Sequence, residues 1–121
     1  MRISRSDDAS FQPVDADNFE GAANRRDLGR IGPQSAAALV VRFEAGARTH
    51  WHRHADGQML YVLEGSGRVG TRDGTVERIG PGDFVHAEPG EEHWHGAADD
   101  AGVTHVALSF GDTEWVGPRL G

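Results

Sequence analysis

The 121 residues are enough for one hydrophobic core, and 17 Gly and 5 Pro against 37% apolar residues favour short elements joined by turns over long helices. There is no Cys, and all 12 basic residues are Arg, which excludes disulfides, thiolate chemistry and a lysine Schiff base. The formal charge of −7 argues against a nucleic-acid partner.

The opening MRISRSDDAS has no apolar core of the signal-peptide kind, and no stretch approaches membrane-spanning length. A cytoplasmic protein with no membrane partner is the expectation. Residues 1–17 are polar and patternless and read as an arm, which Phe11, Val14 and Phe19 could pin to a sheet or to a second subunit. Residues 18–30 show no clear period, and Arg25-Arg26-Asp27 reads as solvated. The breakers in 31–35, IGPQS, mark a loop.

The first clear strand is 36–44, with Ala37, Leu39, Val41 and Phe43 on one face. Residues 48–54 form a second strand and 58–63 a third. Both faces of the third are apolar apart from Gln58, so burial on each side is expected. After the turn at 65–67, residues 68–71 read as a solvent-facing strand, and Asp73-Gly74 is a hairpin signal. Residues 75–79 return, 80–83 turn, 84–87 form a short strand and 89–92 turn again. His93-Trp94-His95 follows, then the last core strand, 103–110, with Val103, His105, Ala107 and Ser109 on one side. From 112 the chain reads as a tail carrying Trp115 and Pro118. About eight or nine short strands with regular turns mean an all-β sandwich or small barrel.

The histidines stand out against this frame. All seven lie between His50 and His105. His50, His52 and His54 alternate, and residues two apart on a strand share a face. His52 and His54 can therefore present two imidazoles to one point, and Gln58 can return toward it from the next strand. This is ligand spacing for a metal. His, carboxylate, hydroxyl and metal are the catalytic groups that the composition leaves.

The stretch GARTHWHRHADGQMLYVLEG resembles the first motif of the cupin superfamily, through Gly46, His52, His54, Gln58 and Gly65. GDFVHAEPGEEH resembles the second motif, ending in His93. The usual Glu is Gln58 here, the first Pro of the second motif is Glu88, and its terminal Asn is Ala97. Residues 43–105 further resemble the small single-domain cupins that include manganese-dependent bacterial hydroxynitrile lyases.

The resemblance implies a single cupin domain over 1–121, a jelly-roll β-barrel with its core at 36–111. It implies a divalent metal, manganese first and Fe, Ni, Co or Zn as alternatives, held by His52, His54, Gln58 and His93. It also makes His105 and His95 further active-site groups. Four uncharged ligands leave a bound ion close to its full +2, a stronger Lewis acid than a site with Glu. The expected reaction on a small oxygenated substrate is cleavage of a cyanohydrin, with His105 as base and His95 polarising the cyanide end. An iron-dependent dioxygenase and a non-enzymatic small-ligand-binding cupin are the alternatives. The arm needs a docking place, so a homodimer or homotetramer is expected. His50 is expected at the rim, His86 in a structural role, and Glu88, Glu91 and Glu92 as solvated turn charges.

Overall fold

The computed structural model describes residues 1–7, 10–32 and 36–118. Among these the chain is all strand and turn, with no helix. The strands are β1 (Gln12–Pro13), β2 (Phe19–Glu20), β3 (Ala23–Ile31), β4 (Ala36–Phe43), β5 (Arg48–Thr49), β6 (Trp51–His54) and β7 (Gln58–Gly65). They continue with β8 (Gly67–Thr71), β9 (Val76–Ile79), β10 (Phe84–Ala87), β11 (His93–Ala97), β12 (Val103–Phe110) and β13 (Thr113–Gly117). No helix of the described residues is long and apolar enough to cross a membrane.

One antiparallel sheet runs β1-β3-β4-β12-β7-β10. The other runs β13-β6-β11-β5-β2, with β8 pairing β11 and β9. β12 pairs β4 on one side and β7 on the other. Alternation on these strands sends Val41, Phe43, Leu60, Val62, Val103 and Ala107 inward, where each is 3% exposed or less. Burying a side chain as large as Phe43 or Leu60 stabilises the fold by roughly 1.5–3 kcal/mol. Gly65 closes β7 at φ +89, and a Cβ there would overlap the carbonyl oxygen of Gly102. Only glycine meets both conditions.

Five expectations change. Residues 23–31 form a full strand between β1 and β4, and β13 replaces the expected tail by pairing with β6. β7 is buried on one face only: Tyr61 and Leu63, on its other face, are 43% and 47% exposed. β8 is no solvent-facing strand, since it lies between β9 and β11 with Gly67 and Gly70 buried. Part of the segment expected to be an arm is β1, paired to β3, and Phe11 lies under the Arg42 guanidinium at 3.9 Å. Val14 and Phe19 pack on the core. Residues 33–35 of the expected loop lie outside the described residues.

Candidate metal centre

β6 turns His52 and His54 inward and Trp51 and Arg53 outward. The outward pair is held at the surface: Arg53 makes a two-point contact with Glu114, and Arg72 lies 4.0 Å from the Trp51 ring. Across the sheet His93 sits opposite His52. Gln58, the first residue of β7, arrives from the facing sheet. Ring centroids are 4.4 Å apart for His52 and His93, 5.1 Å for His52 and His54, and 5.8 Å for His54 and His93.

The outer hydrogen bonds set which nitrogens face inward. His52 Nδ1 donates to the His50 carbonyl and His93 Nδ1 to the Glu91 carbonyl, both at 2.9 Å. With the proton on Nδ1, each ring keeps its Nε2 lone pair for the interior. The Gln58 amide donates to Ser109 Oγ at 3.0 Å, which aims Oε1 at the rings. Oε1 then stands 2.9 Å from His93 Nε2. Two lone pairs face each other there with no proton between them, an arrangement that a cation relieves. His54 Nδ1 meets Thr113 Oγ1 at 2.9 Å, and its Nε2 is buried without a hydrogen-bond partner. A buried orphan of this kind calls for water or an ion. Imidazole nitrogens with an amide oxygen suit a borderline divalent metal, so this donor set fits the ion.

His95 comes equally close. One nitrogen each from His52, His93 and His95 lie within 4.8 Å of one another, a three-histidine group that suggests a divalent metal. His54, turned toward Thr113, stands beside this group. His95 Nδ1 meets His105 Nε2 at 3.2 Å, which leaves Nε2 of His95 for the cavity. His105 lies behind His95. It is fully buried, packs 5.4 Å from the Phe43 ring, and does not line the cavity. Of the two, His95 lines the cavity, and His105 meets it only through His95. His50 contributes its carbonyl, and His86 is an exposed ring 5.0 Å from Phe84, with no structural role in the site.

Burial sets the charge state. Loss of water pushes His52 down to about 3, with His93 adding to the effect, and His54 down to about 4. His93 is lowered by the same cause, and His95 well lowered by burial and then by His105. Burial takes His105 to about 4. All five rings are neutral at neutral pH, so a metal has no proton to displace.

His52, His54 and His95, with Gln58, form the floor of a cavity of about 230 Å³. Phe19 and Trp115 wall it, with the Trp115 ring 4.6 Å from His52 and 5.6 Å from Phe19. Thr113 and Trp115 escaped the sequence reading; their one signal is two positions of like parity on a strand. None of the side chains on the floor is a carboxylate.

Two curled antiparallel sheets with imidazoles and an amide converging between them define a metal-binding β-barrel. The chain belongs to the cupin family: the model of the cupin domain matches residues 39–109. It is 42% identical over 109 residues to an (R)-mandelonitrile lyase of Granulicella tundricola, a match covering 89% of this chain and 83% of that one. A 58-residue stretch, 46% of this chain and 32% of the other, is 38% identical to an acireductone dioxygenase of Rhodopseudomonas palustris. Among solved structures, a cupin-like protein of Thermotoga maritima superposes with a TM-score of 0.83 at 36% identity, covering 88% of this chain and 84% of that one.

Proposed function

We propose that the protein is a metal-dependent lyase that opens a cyanohydrin to an aldehyde and hydrogen cyanide. One observation carries the reading: His95, a neutral imidazole, faces the cavity beside the ligand rings in a chain similar to a mandelonitrile lyase. His52, His54, Gln58 and His93 would hold the ion, manganese first, with Fe, Ni, Co or Zn suiting the same donors. When bound, the ion supplies Lewis acidity that lowers the pKa of the substrate hydroxyl. His95 Nε2 takes the hydroxyl proton. The O–H electrons form the C=O bond, and the C–C pair leaves with cyanide. His95 then returns the proton to cyanide, which departs as HCN. His105 holds the His95 ring and shares its Nδ1 proton.

The test is manganese-loaded protein with mandelonitrile under nitrogen. Benzaldehyde and cyanide should appear in equal amounts, and His95→Ala should lower kcat by about a hundredfold. No cyanide with manganese or any of the four other metals overturns the reading. The dioxygenase match favours a second reading, in which an iron-loaded protein turns over only with O2. Product formation that stops under nitrogen supports it.

A further inference from the structure

The cavity has a second end. Strand register lays out the inner face of the β7-β12-β4-β3 sheet in rows: Gln58 pairs Ser109, Ser109 pairs Ala37, and Ala37 pairs Arg30. A parallel row runs Leu60, Ala107, Leu39, Asp27, and another Val62, His105, Val41, Arg25. Because paired residues point to the same face, Arg25, Asp27 and Arg30 lie on the concave face, the face of Gln58 and His105. Arg25 and Arg30 both line the cavity that the histidines floor. Between Gln58 and Arg30 stand only Ser109 and Ala37, with Ala107 in the next row. These small side chains leave an open trough. It crosses three strand spacings, about 14 Å between the end backbones, and an extended Arg side chain reaches back over much of that.

The charges are unequal at the two ends. The two carboxylates near the mouth are engaged. Asp15 accepts from the Asp17 backbone and the Asn18 amide, and Asp27 faces Arg25 at 3.9 Å. Among the described residues no carboxylate pairs with Arg30, whose backbone carbonyl alone is in use, accepting from Arg2. Arg30 is exposed at the open end, and a guanidinium there is a fork for a carboxylate.

We propose that Arg30 is an anion site at the outer end of the trough, with Arg25, five residues back along the strand and paired with Asp27, at the same cavity. The cavity then takes an elongated ligand with a hydroxyl or carbonyl oxygen at the imidazole end and a carboxylate several bonds away. The proposal names the ligand class of the site described above, and it rests on that reading only for the oxygen end.

Calorimetric titration of manganese-loaded protein with 4-formylbenzoate and with neutral 4-formylbenzamide tests it. At low salt the acid should bind about fivefold tighter than the amide. Arg30→Gln should bring the two within about twofold, and Arg30→Lys should keep part of the preference. Equal affinities in the wild-type protein overturn the proposal, and so does a preference that survives Arg30→Gln. Cyanide release is read separately. An Arg30-dependent preference without cyanide release upholds the anion site and removes the lyase reading; release without the preference does the reverse.

Discussion

His54 shows how a ligand ring is aimed by a residue that never meets the ion. Its Nδ1 is tied to Thr113 Oγ1 at 2.9 Å, a bond that helps fix which way the buried Nε2 points. His52 and His93 are aimed by backbone carbonyls, which no substitution can remove. Thr113→Val keeps the shape of the side chain and deletes the acceptor. Partners of this kind typically matter 10–100-fold for metal affinity. We expect Thr113→Val to weaken manganese binding about tenfold in competition with a chelating dye, and Thr113→Ser to restore it. A valine variant that binds as tightly as the wild type would show that the Nδ1 contact does not orient the ring.

At the scale of elements, β8 and β11 fit because one side chain is missing. Gly70 in β8 lies opposite Trp94 in β11, and a Cβ at position 70 would overlap the indole. Trp94 is 1% exposed and lies 5.7 Å from both the Arg48 and Arg68 guanidiniums, so it has nowhere to move. Gly70→Ala should therefore destabilise the fold by about 1–3 kcal/mol, read as a lower thermal midpoint. An unchanged midpoint would mean that the indole can shift. β4, β7 and β12 were legible as apolar runs closed by turn residues, and His52, His54, Gln58 and His93 because their spacing matches both strand parity and the cupin motifs. β3 was not, since its inward positions Arg25, Asp27 and Arg30 face a cavity mouth instead of the core. β13 was not, since its order comes from pairing with β6, far away in the chain. His105 was placed on the correct face, yet its position behind His95 depends on inter-sheet packing that no strand pattern records.

For the whole molecule, five neutral imidazoles inside a small barrel make the apoprotein sensitive to acid. The ordinary value of 6.5 describes these groups in the unfolded chain, whereas in the fold His52 lies near 3 and His54 and His105 near 4. A folded value below the unfolded one means that the unfolded chain binds protons the fold refuses. Stability is therefore intact above 6.5 and falls as pH drops from there toward 4 and 3. By pH 5 each of these three groups costs roughly 2 kcal/mol, which together is comparable with the 5–15 kcal/mol of a typical domain. His93 and His95 act in the same direction. Ordinary carboxylates bind few protons above pH 5, so the interval between 6.5 and 5 isolates the histidines. In urea titrations with chelator present, the unfolding midpoint of the apoprotein should fall steadily across that interval, and the fold should be largely lost near about pH 5. Manganese should raise stability by nearly the same amount at pH 7.5 and pH 5.5, because His52 and His54 carry no proton in the fold at either pH and the ion has none to displace. A midpoint that stays level from pH 7 to pH 5 would show that the buried rings take up protons within the fold, and that the barrel interior admits water freely.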